Sequence, residues 1–329
     1  MTNKKILAIF AGYDKDNIID DYVVYYIKEL KKIADIIYVS DCNMSDNELK
    51  KINDYCINII NGRHEEYDFG SYKRGYLYAK ENNLLQNYDK IIFCNDSCYG
   101  PFFDLKNIIN KMTDYDFGVL YISKDLKIAE HDYITSFFII IDKKIYNTDF
   151  FNNFIDNIKK EEDKMDIIKK YEFGLSKLML DNNIELKSLF NDNGEFNRPY
   201  FNPLALIEEG FPLLKRHVLE KKVTVPLNID ELTNIIKIIK NNYDIKLIVN
   251  HLNRVADKEQ IKYLFQKYKP YKKTFIHEKI FSLFTRYSPS GKYQTVYKFF
   301  NSISVSIDKP IKDSYIETDY KDFNFLLKI

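Results

Sequence analysis

Residues 88–105 read YDKIIFCNDSCYGPFFDL, and this stretch decides the fold. An apolar run, Ile91-Ile92-Phe93, stops at Asn95-Asp96-Ser97 and is followed by Tyr99-Gly100-Pro101. Short continuous apolar runs bounded by turn residues are the signature of strands buried on both faces. A strand that carries one carboxylate to its C-terminal tip and then turns sharply is how open α/β sheets build ligand sites.

The same texture recurs on either side. Residues 6–10 form an apolar run closed by Gly12, residues 36–39 one ending at Ser40-Asp41, and residues 57–60 one ending at Asn61-Gly62-Arg63. Residues 117–122 and 136–141 predict two further strands. Between them apolar residues fall at helical spacing, as at Val23, Tyr26, Ile27, Leu30 and Ile33 behind Asp20-Asp21. Helices are predicted also over about 71–82, from Leu105 to Met112, from Phe151 to Ile158 and over 171–180. Strands alternating with helices predict an α/β fold with a mostly parallel, doubly wound sheet.

Past about residue 200 the texture changes, so residues 1–200 are taken as the α/β domain and 201–329 as a mainly helical C-terminal region. Residues 232–239 have helical spacing, and 223–229 have the composition of a strand. Within 261–300, nine Lys and Arg stand against one acid, Glu278, with a dozen Tyr and Phe among them. That composition suits docking on an anionic membrane surface or an ordinary aromatic-cored subdomain. No nucleic-acid-binding motif accompanies it, and nucleic acid is not expected as a partner.

Composition excludes other classes. With 329 residues and 45% hydrophobic content the chain can bury a sizeable core, and its net charge of +1 lacks a global polyanion-binding signature. Cys42, Cys56, Cys94 and Cys98 match no common zinc spacing and are expected to be reduced thiols. The N-terminal apolar run meets Asp14 too soon for a signal peptide, and no stretch approaches a membrane span. The expected location is cytoplasmic, including the inner face of the cell membrane.

Several residues carry candidate chemistry. Asp96, at a strand tip, can hold a divalent cation or serve as a turn residue. Since Asn95 and Ser97 replace carboxylates, a Mg²⁺ or Mn²⁺ there would rely on Asp96, substrate phosphates and water. Arg63, Asp68, Gly70, Ser71, Tyr72 and Lys73 lie in one loop and helix start. Arg and Lys suit phosphate, and a glycine permits close backbone approach; the alternative is a polar loop capped by Ser71. Glu172, in Tyr171-Glu172-Phe173-Gly174-Leu175-Ser176, reads as a general base or as an acid favouring a helix N-terminus. His131, before residues 136–141, suits an acceptor sugar, a phosphate or a structural loop. Lys215 and His217, after Gly210-Phe211-Pro212, suit a diphosphate or a surface helix start.

Taken together, these motifs resemble the rhamnan synthesis protein F family of bacterial glycosyltransferases. The resemblance is carried by Arg63, Tyr67-Asp68-Phe69-Gly70-Ser71-Tyr72-Lys73, Asn95-Asp96-Ser97-Cys98-Tyr99-Gly100-Pro101, His131 with Ser136-Phe137-Phe138, Tyr171 to Ser176, and Pro212 to Lys215. Order and spacing agree over about residues 60–220; Glu65-Glu66 depart from the Asn and Gly often found after the Arg. The resemblance implies a GT-A-like fold and transfer of a sugar, often rhamnose from dTDP-rhamnose, onto a cell-surface glycan, a lipid-linked glycan or a glycoprotein. It implies Asp96 as the metal-binding acid and Glu172 as the base of a single inverting displacement. Asn95, Ser97, Tyr99, Lys73, Arg63 and Lys215 would surround the donor. A non-catalytic nucleotide-sugar-binding scaffold is the alternative, suggested by the lone carboxylate.

Overall fold

The computed structural model describes residues 4–123, 132–192, 197–220, 227, 229–256, 281–287, 293–299 and 303–309. The chain divides into two compact units between Leu214 and Lys215.

In the first unit, β1 (Ile6–Gly12) leads through α1 (Asp21–Lys31) to β2 (Asp35–Ser40), then through the short α2 (Asp46–Lys50) to β3 (Asn58–Asn61). Helix α3 (Tyr67–Glu81) crosses back to β4 (Lys90–Asn95), followed by the short β5 (Cys98–Tyr99) and α4 (Leu105–Lys111). Strands β6 (Phe117–Ser123), β7 (Tyr133–Ile134) and β8 (Phe138–Asp142) come next, then α5 (Lys143–Tyr146) and α6 (Asp149–Asp156). Helix α7 (Lys164–Ile167), a π-helical turn (Ile168–Phe173) and α8 (Gly174–Asp181) run on from one another into β9 (Lys187–Asn191). Helices α9 (Arg198–Phe201) and α10 (Pro203–Glu208) and the first residue of β10 (Leu214–Lys215) complete the unit.

The eight-stranded sheet has the order β3-β2-β1-β4-β8-β6-β7, with β9 beside β6. Strands β3, β2, β1 and β4 are mutually parallel, β8 and β6 run antiparallel to their neighbours, and β9 is parallel to β6. The predicted α/β sheet is therefore present, mixed on the far side of β4. Every residue of β1, β4 and β6 is buried, as continuous apolar runs require. The chain passes outward from β1 through β2 to β3, then returns to add β4 on the other edge of β1. That reversal leaves a crevice beyond the carboxyl ends of β1 and β4, where open α/β sheets bind ligands.

Helix α3 covers this part of the sheet. Tyr72 stacks on Phe93 with ring centroids 4.7 Å apart, and Phe69 packs against Tyr171 at 5.3 Å. Burial of each such ring contributes about 2–3 kcal/mol. The helix begins at Tyr67, four residues before the expected start, so Ser71 lies inside it rather than capping it. The 171–180 helix likewise begins earlier, at Lys164. Ile167, Tyr171, Leu175 and Met179 are all buried at four-residue spacing, which in an α-helix drifts by about 40° per step. A wider π turn keeps Ile167 and Tyr171 on the core side.

The division after Leu214 lies beyond the change of texture near residue 200, because α9 and α10 are tied into the first unit. Arg198 N donates to the Tyr121 hydroxyl at 2.9 Å, and Arg198 pairs with Glu209. The second unit holds α11 (His217–Glu220), α12 (Ile229–Ile239) and α13 (Lys246–Val255). Three antiparallel strands follow, β11 (Phe281–Tyr287), β12 (Tyr293–Phe299) and β13 (Ile303–Lys309). Among the described residues, the region expected to be mainly helical is helical up to Val255 apart from β10. Beyond it, alternating aromatic and β-branched residues such as Tyr293, Thr295, Tyr297 and Phe299 favour strand. The expected strand at 223–229 and the basic stretch 261–280 fall largely or wholly outside the described residues. Among those described, no helix is long and apolar enough to cross a membrane.

Candidate functional site

The crevice is shaped by two tight turns. At the end of β1, a Cβ on Gly12 would lie 2.1 Å from the hydroxyl oxygen of the buried Tyr38, so glycine lets the chain pass close to that ring. The next residue, Tyr13, donates its backbone N–H to Asp96 Oδ2 at 2.8 Å. Asp96 N donates to Ala11 O at 3.2 Å, and the Tyr22 hydroxyl donates to Asp96 O at 3.0 Å. The Asp96 carboxylate is thus fixed between the ends of β1 and β4 and is half-buried. After β5, Gly100 has φ 122°, and a Cβ there would meet Pro212 O at 2.5 Å. Phe102 N donates to the same carbonyl at 2.8 Å, which ties the β4 tip to the Phe211–Leu214 segment.

From that tip a chain of hydrogen bonds runs to the second half of the sheet. Asn95, buried, accepts from Ser97 Oγ at 2.6 Å and donates through Nδ2 to Asp68 Oδ2 at 3.0 Å. The Ser136 hydroxyl donates to the same Asp68 oxygen at 2.8 Å. Ser136 N then donates to Glu172 Oε1 at 3.0 Å. The Tyr72 hydroxyl braces the chain, donating to Ser136 O at 2.9 Å and meeting Asn95 Nδ2 at 3.2 Å. Asp68, Asn95, Ser97, Ser136 and Glu172 therefore belong to one connected site next to Asp96. Glu172 lies in the π turn rather than at a helix start, so an N-terminal dipole is not what places it. Such turns recur at functional sites because they re-aim side chains.

A second group lies at the ends of β2 and β3. The Arg63 guanidinium pairs with Asp41 at 3.3 Å and donates to Asp41 O at 2.8 Å. It also lies over the Tyr13 ring, 5.1 Å from the centroid. Asp41 Oδ1 accepts from His64 N and Glu65 N, each at 2.7 Å. His64 Nε2 is 2.9 Å from the Ser71 hydroxyl, and Nδ1 accepts from Glu66 N at 3.1 Å. This resembles a nucleophile-base-acid triad but has the wrong protonation for one. With Nδ1 accepting, the proton sits on Nε2 and points at Ser71, so His64 cannot take the serine's proton. Burial pushes the His64 pKa down to about 4, keeping the ring neutral.

Other predicted residues serve the scaffold. Lys73 donates to Asp156 O at 2.9 Å and Ile158 O at 2.7 Å, where it satisfies carbonyls at the end of α6. Gly70 is needed for side-chain packing rather than for ligand approach, since a Cβ there would lie 2.2 Å from Glu66 Cβ. Tyr72 and Tyr99 are fully buried, and Tyr99 packs edge-on against Tyr22 at 5.1 Å. Within α3, Tyr72 projects toward the sheet, onto Phe93, and Lys73 toward the end of α6. Lys215 and His217 open the second unit, in β10 and α11. His131 lies outside the described residues. None of the four cysteines is in a disulfide, and Cys42, Cys94 and Cys98 are buried. Tyr13, Asp41 and Ser136 are additional participants; the first two each follow an apolar run, the same signal that marked Asp96.

The donor set fits a resident metal poorly. Among the described residues, no group of three His, Cys, Asp or Glu side chains could hold an ion. Asp96 contributes one carboxylate, and its Oδ2 already accepts the Tyr13 N–H.

The rhamnan synthesis protein F family matches residues 36–308, and the chain belongs to that family. It is 23% identical over 175 residues to the uncharacterized protein y4gN of Sinorhizobium fredii, covering 52% of this chain. The match takes in 45% of that relative's length. Similar solved structures include a putative nucleotide-diphospho-sugar transferase from Desulfovibrio desulfuricans, 14% identical with TM-score 0.34, covering 64% of this chain and 96% of that one. The mannosyltransferase Ktr4p from S. cerevisiae, in complex with GDP, is 9% identical with TM-score 0.32, covering 47% and 61%. The glycosyltransferase GlyE of Streptococcus pneumoniae is 13% identical with TM-score 0.35, covering 64% and 54%.

Proposed function

We propose that the protein is a glycosyltransferase that moves a sugar from a nucleoside-diphosphate donor to a glycan, lipid-linked glycan or glycoprotein acceptor, with rhamnose from dTDP-rhamnose as the favoured donor. One observation carries this reading: the hydrogen-bonded chain that joins the Asp96 tip, at the topological switch point, to Glu172. Family membership supports the same chemistry.

The donor's diphosphate lies in the crevice beyond β1 and β4, and the acceptor hydroxyl approaches from the Glu172 side. Glu172, with Oε1 held by Ser136 N, takes the acceptor proton. The acceptor oxygen attacks the anomeric carbon as the nucleoside diphosphate departs, in one inverting displacement. Asp96 and Arg63 orient the donor. A divalent cation, where one takes part, would arrive with the diphosphate and neutralise its charge.

The test is a transfer and donor-hydrolysis assay with a panel of nucleotide-sugars, with and without Mn²⁺. Release of a nucleoside diphosphate from one donor supports the reading. A protein that binds donors yet releases nothing under any condition is a scaffold, and the proposal fails.

A further inference from the structure

We propose that Tyr13 is the platform on which the donor's nucleobase stacks, held in place by Arg63; this rests on the nucleotide-sugar reading above.

Tyr13 is 46% exposed, unusual for a large aromatic ring directly after a fully buried strand. Its backbone is fixed by the bond to Asp96, which seats the residue at the crevice. Its orientation is set from the other side. The guanidinium of Arg63 covers it at 5.1 Å and is itself anchored by Asp41. An exposed ring ordered in this way stacks a planar base at little entropic cost, and a cation behind the ring adds to the attraction. The single N–H bond between Tyr13 and Asp96 also places the base end and the phosphate end of one ligand on neighbouring residues. Tyr13 would then recognise any base by stacking, leaving the choice among bases to hydrogen-bonding groups around it.

The test compares binding of UDP, dTDP, GDP, ADP and inorganic pyrophosphate by calorimetry to the wild type, Tyr13→Ala and Tyr13→Phe. Loss of a base stack predicts a weakening of about 5- to 100-fold for the preferred nucleotide in Tyr13→Ala. Affinity in Tyr13→Phe stays close to wild type, and pyrophosphate binds all three proteins alike. Both variants keep the backbone N–H on Asp96, so the phosphate end is undisturbed. Equal nucleotide affinity in Tyr13→Ala overturns the inference and leaves the proposed function standing. So does an equal loss of pyrophosphate and nucleotide, which would make Tyr13 a support for Asp96. A wild type that binds no nucleotide overturns both.

Discussion

The segments after β3 and β4 both leave the carboxyl ends of parallel strands, yet their polar side chains do different things. After β3, Arg74 closes on Glu66 at 2.6 Å, His64 on Ser71, and Lys73 on the end of α6. The groups satisfy one another, and the segment behaves as a latch that seats α3. After β4, the Asp96 carboxylate is only half-buried, and Asn95 carries the connection toward Glu172. Density of polar residues is therefore a poor guide to chemistry; what separates the two is where the bonds lead, back into the start of α3 in one case and across to Ser136 and Glu172 in the other. Asp68 is the joint, leaving the latch segment to bond Asn95 and Ser136.

The sharpest break of this contrast is in turnover. Asp96→Ala and Glu172→Gln are each expected to lower transfer by about 10²–10⁴-fold with the fold intact by circular dichroism. Near-normal turnover in Glu172→Gln would remove it as the base. Asn95→Asp comes next. It places a second carboxylate where Nδ2 now donates to Asp68, at a cost on the order of 2 kcal/mol in denaturant unfolding. The shared site raises the pair's pKa in the folded state, so the variant's stability is retained at low pH and lost as pH rises. An Asn95→Asp protein with wild-type stability and an unchanged pH profile would mean that the bond to Asp68 does not matter.

The latch itself yields smaller effects. His64, held near pKa 4 against an ordinary 6.5, resists protonation in the folded state. The unfolded chain gains its proton first as pH falls, so stability is full above about 6.5 and declines toward 4, by on the order of 2 kcal/mol. His251, depressed by burial to about 2, adds to the same decline. A ring titration by NMR with a midpoint near 6.5 would contradict this account of His64. Lys73→Met is expected to cost about 1 kcal/mol by thermal melting, through unsatisfied carbonyls at the end of α6, with turnover unchanged. A large loss of donor affinity in Lys73→Met would return that residue to the site.

Much of this was legible in the chain. The buried strands announce themselves as apolar runs, and each tip residue, Asp41, Arg63 and Asp96, lies within three residues of the end of its run. Strands β7 and β9 escape notice because one is two residues long and the other, Lys187–Asn191, is only half-buried or exposed. Glu172 and Asp96 could be proposed from residue type and motif. Their connection could not, because Ser136 reads only as the start of a strand, and its role depends on a backbone N–H that any residue has. Lys73 and Gly70 read as ligand-facing because the sequence predicts that α3 starts near Ser71. With the helix starting at Tyr67, Lys73 reaches the carbonyls of Asp156 and Ile158, and Gly70 packs against Glu66.

The π turn also limits how this chain can change in length. It holds one residue more than the α-helical path needs, so deleting a residue between 168 and 170 would let the helix close into a regular coil. Because the extra residue is absorbed within the turn, the helices on either side keep their faces, and Leu175 and Met179 stay in the core. What is lost is the widened turn that carries Glu172, so the deletion disturbs the aim of the acid at Ser136 before it disturbs the packing. A change of length here acts on the chemistry first and on stability second.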